Sequence, residues 1–315
     1  MRAIPLCLLS GLLALPVQAS EVQDWLKRLA EAERKQSFQG TFVYERNGSF
    51  STHSVWHAVK SDGSIHERLM QLDGPSQEVF KVDGQTRCVS GALADQVSDG
   101  QSWPARNFDA AQLGEWYDMR VAGRSRIAGR DAVVLILSPK DQHRYGFELH
   151  LDRETGLPLK SLLLSDKGQL LERFQFTDLE ARVPDAEALQ PTSDCQPVHF
   201  KPADTMADGA WRSDWLPPGF SLISAQLRRS EVSDEPVAVL MYGDGLARFS
   251  VFLEPLQGAV ADDVRSQLGP TVAVSRRMTT HEGDMMVTVV GEIPLGTAER
   301  IALSMRTGAS EQATQ

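Results

Sequence analysis

The amino-acid sequence predicts an α+β protein: a large curved antiparallel β-sheet or half-barrel covered by helices, followed by a smaller C-terminal α+β domain. Two observations predict this architecture. Strand-like runs alternate with turn dipeptides such as Asn47-Gly48 and Asp83-Gly84 from about residue 40 to residue 176. A stretch with four prolines then interrupts the pattern between residues 183 and 208. Because about nine or ten consecutive strands exceed what a flat sheet tolerates, the first sheet is expected to curl.

The start of the chain has the pattern of an export signal. Arg2 supplies a positive charge, and Ile4 to Leu15 is an apolar run too short to span a bilayer. Val17-Gln18-Ala19 is a small-x-small cleavage site. We therefore predict a signal peptide over residues 1–19 and a mature chain that begins at Ser20, outside the cytoplasm. Later apolar runs are only strand-sized, so no other segment is expected to enter a membrane.

Composition narrows the class of function. The chain has 32 basic and 42 acidic residues, a net charge of −10 that becomes −11 when Arg2 leaves with the signal. Such an acidic chain is a poor candidate for nucleic-acid binding, so we expect no nucleic-acid partner. A hydrophobic content of 42% is sufficient to build packed cores.

The predicted first domain covers residues 20–190. Val22, Leu26 and Leu29 repeat at helical spacing and predict an opening helix to about residue 36. A less regular segment between about residues 99 and 117 is expected to contain loop and short helix. The predicted strands are Gly40–Glu45, Ser49–Val59, Ile65–Gln71, Glu78–Val82, Met119–Ile127, Ala132–Leu137, Tyr145–Leu151, Lys160–Leu164 and Leu170–Phe176.

A proline-rich linker over residues 191–208 is expected to lead into a second domain, residues 209–307. A closing helix is predicted after Pro294, and residues 308–315 form a small polar tail that is expected to fray. The predicted strands of this domain are Phe220–Arg229, Val237–Tyr242, Ala247–Leu253, Thr271–Arg277 and Met285–Glu292.

Two cysteines, Cys88 and Cys195, remain after processing. An oxidising compartment favours a disulfide between them, but two distant, unpaired thiols are equally compatible with the sequence. Cys195 and His199 have a spacing that occurs in zinc sites, but without a second pair of ligands the signal is weak.

Five local phrases, taken in order behind an export signal, resemble the MucB/RseB family of periplasmic regulators. They are Met70-Gln71-Leu72-Asp73-Gly74-Pro75, Gly123-Arg124-Ser125-Arg126-Ile127-Ala128-Gly129-Arg130, Trp215-Leu216-Pro217-Pro218-Gly219-Phe220, Tyr242-Gly243-Asp244-Gly245-Leu246 and Val290-Gly291-Glu292-Ile293-Pro294. The resemblance covers essentially the whole mature chain.

The resemblance implies a periplasmic protein with a first domain similar to lipoprotein carriers of the LolA type. It also implies a function: binding the periplasmic part of a single-span anti-sigma factor and shielding it from regulated proteolysis. An envelope-stress sigma factor, which also controls alginate production, then stays inactive until lipid or lipopolysaccharide releases the regulator. The main alternative is a periplasmic lipid or lipoprotein carrier. Whether the chain forms a homodimer is left open.

Motifs for catalysis are missing from the sequence. It contains no G-x-S-x-G, S-x-x-K, H-E-x-x-H or P-loop pattern. His53 and His57 share a strand face but lie about 13 Å apart, too far to share a metal ion. We therefore predict no catalytic residues, no metal site and no cofactor, and a third alternative, an envelope hydrolase, is disfavoured.

The interior of the first sheet is the candidate lipid site. Bulky apolar side chains alternate there with polar neighbours, and as a set they would line a hydrophobic cavity, although a dry core explains each one separately. An acyl chain would gain about 0.8 kcal/mol for each buried CH₂ group. The candidate lipid-binding residues are Trp56, Met70, Phe80, Phe147, Leu149, Leu162, Leu164 and Phe174.

The second domain carries the candidate partner site, because aromatic residues are enriched in interface cores and arginines bind acidic groups. Packing against the linker is the alternative for the aromatic residues. The candidate partner-binding residues are Trp211, Trp215, Phe220, Arg228, Arg229, Tyr242 and Phe249. Further basic clusters, at Arg120 to Arg130 and at Arg276-Arg277, are either solvated surface or sites for lipid phosphates or acidic side chains.

Overall fold

The computed structural model describes residues 17–91, 110–198, 204–206, 210–229, 235–256, 262–281 and 283–308. Most of the predicted signal peptide (1–16), His199 and the predicted tail after Gly308 lie outside the described residues. Within these ranges, no helix has the length and hydropathy needed to cross a bilayer.

The described part of the first domain is one antiparallel sheet with two helices. The sheet order is β11-β5-β4-β3-β2-β1-β10-β9-β8-β7-β6, which confirms the predicted large antiparallel sheet. The elements are α1 (Val17–Lys35), β1 (Phe38–Arg46), β2 (Ser49–Val59), β3 (Ile65–Gln71), β4 (Glu78–Val82), β5 (Gln85–Ser90), α2 (Ala110–Trp116), β6 (Tyr117–Ile127), β7 (Arg130–Pro139), β8 (Gly146–Asp152), β9 (Pro158–Leu164), β10 (Leu170–Glu180) and β11 (Gln196–Pro197).

The sheet curls strongly at its β6 end. Three strands lie between β6 and β10 in the sheet order, and in a flat sheet four strand spacings would separate them by about 19 Å. Cα atoms of β6 and β10 nevertheless approach within 8 Å. The predicted curvature is therefore present.

Helix α1 covers one face of the curled sheet, here called the inner face. Its buried residues Val22, Leu26 and Leu29 pack on Leu135 and Leu149 of neighbouring strands. Each fully buried leucine contributes about 1.5–3 kcal/mol relative to an exposed one. Period-2 alternation gives each strand one apolar face and the 3.6-residue period gives α1 one apolar face, and these two faces meet as the sequence indicates.

A disulfide joins Cys88 in β5 to Cys195, with 5.4 Å between the Cα atoms. It lies beside the short pairing of β11 with β5. In the same region the Thr192 hydroxyl donates to the buried Glu78 carboxylate at 2.5 Å. The disulfide alternative is confirmed, and the first part of the predicted linker is fixed to the large sheet because the bridge holds it there.

The described part of the second domain is a seven-stranded antiparallel sheet packed on one helix, in the order β12-β14-β15-β16-β19-β18-β17, with a separate pair β13-β20. Leu240, Val251, Val289 and Ile301 form the centre of its core. The elements are β12 (Asp204–Thr205), β13 (Trp211–Ser213), β14 (Ser221–Arg229), β15 (Pro236–Gly243), β16 (Arg248–Pro255), β17 (Val264–Leu268), β18 (Thr271–Thr280), β19 (Gly283–Gly291), α3 (Leu295–Ser304) and β20 (Met305–Thr307). The predicted smaller α+β domain is confirmed.

Removing the disulfide should destabilise the protein. The two cysteines are 107 residues apart, and closing a loop of this length is worth about 4–5 kcal/mol in the chain-entropy model. We expect C88S/C195S to lower the free energy of unfolding by this order, measured by urea titration of tryptophan fluorescence. Dithiothreitol should destabilise the wild type and leave the variant unchanged. An unchanged midpoint in the variant would contradict the prediction.

Candidate functional site at the contact between the domains

A buried arginine joins the two domains. Arg144, in the turn between β7 and β8, and Asp244, in the turn between β15 and β16, both have fully buried side chains. Arg144 Nη1 donates to Asp244 Oδ2 at 2.6 Å. Its Nη2 donates to the Pro218 carbonyl at 2.5 Å and to Asp141 Oδ2 at 2.9 Å. One guanidinium therefore binds groups from both domains.

The local turn holds Asp244 in place for this contact. Its Oδ1 accepts the backbone amides of Leu246 at 2.9 Å and Ala247 at 2.8 Å. Burial raises the pKa of Asp244, while Arg144 and the two turn amides oppose that rise. In all three of these short hydrogen bonds the carboxylate oxygens of Asp244 are the acceptors. The site therefore suits the ionised carboxylate.

Aromatic rings and a glycine enclose the guanidinium. Its carbon lies 5.7 Å from the ring centre of Trp116 and 5.1 Å from that of Phe220. Gly219 has a φ of +84°, and a Cβ at this position would lie 2.2 Å from Trp116 Nε1. The Pro217-Pro218-Gly219 turn therefore requires glycine at its end, both for its backbone and for its packing against the first domain.

Neighbouring contacts extend this interface. The Tyr145 hydroxyl donates to the Ile293 carbonyl at 3.2 Å, and His143 Nδ1 lies 3.1 Å from Thr297 Oγ1. The His143 ring also packs edge-on against Trp215, with 5.1 Å between ring centres. The turn between β7 and β8 thus binds the second domain through several adjacent side chains.

A second contact between the domains contains two carboxyl groups. Arg46, at the end of β1, donates to Thr271 and lies 3.7 Å from Glu292. Tyr44 donates to Glu172 at 2.6 Å. Burial raises the pKa of Glu172. Burial and the Glu172 charge raise the pKa of Glu292 to about 7, against the opposing effect of Arg46.

The candidate lipid-binding residues do not share one face of the sheet. Cross-strand register places Phe147, Leu149 and Phe174 on the inner face. Phe147 and Leu149 belong to the core beneath α1. Phe174 lies in an aromatic cluster with Phe42 and Phe176, with ring centres 4.7 and 5.1 Å away.

The other five candidate residues lie on the opposite, outer face. Trp56 and Phe80 are cross-strand neighbours of Arg68, whose guanidinium lies 4.9 Å from the Trp56 ring centre. Met70 follows on the same face, as do Leu162 and Leu164 of β9. The eight residues therefore cannot line a single cavity in this arrangement.

A pocket of about 190 Å³ opens beside α1 instead, smaller than the roughly 300–1,000 Å³ of typical ligand sites. None of the eight candidate residues lines it. Its lining residues are Val22, Gln23, Gly114, Tyr117, Asp118, Met119 and Lys140. Within the described ranges, no three His, Cys, Asp or Glu side chains converge in a way that could hold a metal ion.

The candidate partner-binding residues fall into a buried and an accessible group. Phe220, Tyr242 and Phe249 are core residues, with ring centres 5.4 and 5.1 Å apart around Phe249. Arg228 and Arg229 are exposed at the end of β14. Trp211 and Trp215 are half-buried against the same core. The arginines can contact a partner directly, whereas the core aromatics support the fold beneath.

Removing the charge of Asp244 should weaken the domain contact. In D244N the buried guanidinium keeps only Asp141 as an anionic partner, so we expect a loss of about 3 kcal/mol in the free energy of unfolding, measured by urea titration. The matched control D214N removes an exposed carboxylate that pairs with Arg212 and Arg306. It should cost less than about 1 kcal/mol, and equal losses in the two variants would contradict a special role for Asp244.

Stability should also depend on the protonation of Glu292. Because its pKa of about 7 is higher in the folded state, stability should increase as the pH falls through this value and decrease as the pH rises through it. The side chain is 41% exposed, so solvent screening should limit the gain between about pH 8 and pH 6 to less than about 1 kcal/mol. Thermal unfolding should show this gain in the wild type and in the surface control E21Q but not in E292Q. A gain retained by E292Q would rule out this assignment.

Family models match both domains. The model of the MucB/RseB N-terminal domain matches residues 21–202, and that of the C-terminal domain matches residues 205–306. The chain is 64% identical over 315 residues to the sigma factor AlgU regulatory protein MucB of Pseudomonas aeruginosa, covering 99% of this chain and 100% of that protein. It is 27% identical over 294 residues to the sigma-E factor regulatory protein RseB of Escherichia coli, covering 91% of each.

A solved structure of the Pseudomonas aeruginosa MucA/MucB complex contains a chain with the same architecture. That chain is 64% identical, with a TM-score of 0.81, and the match covers 92% of this chain and 100% of that one. Similarity therefore extends over both domains. On this evidence, the chain belongs to the MucB/RseB family of sigma factor regulatory proteins.

Proposed function

We propose that this protein is an exported, periplasmic regulator that binds the periplasmic domain of a single-span anti-sigma factor, the counterpart of MucA in its own organism. Binding shields the anti-sigma factor from regulated proteolysis and so keeps the sigma factor inactive. Lipid or lipopolysaccharide acts as the release signal. The protein has no catalytic part in this process.

The observation that carries the proposal is the full-length similarity to a chain solved in complex with MucA. At 64% identity over both domains, the surfaces that two chains present to a partner are expected to be closely related. The buried contact at Arg144 supports the proposal because it gives the two domains a defined relative placement. A partner that touches both domains would bind only when they are arranged in this way.

Exposed arginines of the second domain offer a surface for acidic groups of the partner. Arg228 and Arg229 lie beside each other at the end of β14 and are exposed. Arginine forks bind carboxylates through two parallel hydrogen bonds, which favours direct recognition. We therefore include this pair in the partner surface, together with the accessible edges of Trp211 and Trp215.

The test is a titration of mature protein, residues 20–315, with the purified periplasmic domain of the anti-sigma factor, followed by calorimetry. We expect binding by the wild type and at least about tenfold weaker binding by R228A/R229A, because each lost charge-assisted contact is worth about 1.5–3 kcal/mol. The matched control R212A/R306A removes two other exposed arginines of the domain and should bind normally. Failure of the wild type to bind would contradict the function, and equal effects of the two variants would exclude only this surface.

The same titration with added lipopolysaccharide tests the release signal. If ligand and partner oppose each other, the ligand must weaken partner binding by the same factor by which the partner weakens ligand binding. If neither lipopolysaccharide nor lysolipid changes partner binding, the assignment as a regulator stands and the proposed lipid sensing is excluded. Lipid binding without any binding of the anti-sigma domain would instead indicate a lipid carrier.

A further inference from the structure

A row of arginines on the edge of the large sheet has no role in the contacts described above. Arg120, Arg124 and Arg126 lie on β6, the last strand of the sheet order, and all three are exposed. None of them forms an ion pair with any residue in the described part of the chain. In a protein whose mature net charge is −11, three neighbouring arginines without acidic partners are unusual.

Three acidic groups lie near these arginines, namely Asp131, Asp152 and Glu154, and Asp131 is the register partner of Arg126. Arg130 binds Asp152 at 2.6 Å and Glu154 at 3.2 Å, so one positive charge is set against these two carboxylates. A fourth exposed arginine, Arg153, lies close by, because its amide donates to the carbonyl of Asp131, the register partner of Arg126. Four arginines therefore stand against three carboxylates around the turn between β6 and β7, and Arg120 adds a further positive charge along β6.

The arrangement fits a surface better than a single small ligand. Arg124 and Arg126 point to one face of the sheet and stand about 7 Å apart along the strand, whereas the bulge at Val121/Gly123 places Arg120 on the opposite face. A site for one phosphate group would bring buried donors together at one point. These exposed side chains instead spread along the edge strand and project from both of its faces, where they can contact separate phosphates.

Net charge does not prevent such an interaction. At physiological ionic strength the screening length is about 8 Å, so acidic groups on distant parts of the molecule contribute little at this edge. An anionic membrane surface attracts basic groups that come within this distance. The local cluster, rather than the acidic total, therefore determines whether this edge approaches a membrane.

We propose that strand β6 docks the protein on the surface of an anionic phospholipid bilayer, with Arg120, Arg124 and Arg126 bound to lipid phosphates. Docking would hold the protein near the plane in which a membrane-spanning partner presents its periplasmic domain, and would raise the local concentration of the two. The surface is separate from the contact between the domains, and the proposal does not require any particular protein partner.

The experiment is co-sedimentation of mature protein with vesicles of phosphatidylcholine alone or with about one third phosphatidylglycerol. We expect binding to the anionic vesicles that weakens as salt is added. Each arginine near an anionic surface is worth about fivefold in affinity, so R120Q/R124Q/R126Q should bind about 100-fold more weakly. The control R87Q/K167Q/R212Q makes the same change in net charge at exposed positions on other surfaces and should bind like the wild type.

Three results would overturn the proposal. They are no binding of the wild type to anionic vesicles at low salt, equal binding by the two triple variants, and equal binding to neutral vesicles. Loss of binding to the purified anti-sigma domain in R120Q/R124Q/R126Q, with vesicle binding intact, would assign the arginines to a protein partner instead. Circular dichroism and thermal unfolding of each variant establish that the fold is retained.

Discussion

The ion pair between Arg144 and Asp244 is the constraint on which the relative placement of the two domains depends. Both side chains are fully buried, and an unpaired buried charge costs several kcal/mol. The domains therefore cannot slide past each other by small steps while this contact persists. They either hold the guanidinium between Asp141, Asp244 and the Pro218 carbonyl, or they separate far enough for water to reach both charges.

This behaviour suits a regulator. A contact with two distinct states can be biased by any molecule that binds one state more tightly, and the size of the bias equals the difference in affinity. The second contact, around Arg46, Glu172 and Glu292, adds a dependence on protonation to the same equilibrium. Both contacts join residues of the two domains, so both bear on which surfaces of the domains are presented together.

Much of the fold could be predicted from local signals. The Asn47-Gly48 and Asp83-Gly84 turns adopt the positive φ values that their residue types favour. Strands β1, β2 and β4 end close to the predicted residues, whereas β5, which follows Asp83-Gly84, was not predicted. Strand β17 escaped prediction because all five of its residues are exposed, so its sequence has no alternation of apolar and polar residues. The disulfide was left open because sequence alone does not give the distance between two Cα atoms.

The candidate site was harder to predict for a related reason. Alternation gives the face of a side chain within one strand, but the register between strands decides which residues share a face of the whole sheet. In the run Leu162-Leu163-Leu164 every residue is apolar, so the sequence could not separate inner from outer positions. Arg144 and Asp244 are 100 residues apart, and nothing in either local sequence indicates their pairing.

The most direct test of this account is the distance between spin labels on the two domains, at Lys27→Cys in α1 and Leu303→Cys in α3, both exposed positions. Double electron–electron resonance would measure this distance in the labelled protein that retains Asp244 and in its D244N variant. We expect one narrow distance distribution with Asp244 present, and a broad or shifted distribution in D244N. An equally narrow distribution at the same distance in D244N would show that the buried ion pair does not fix the arrangement of the domains.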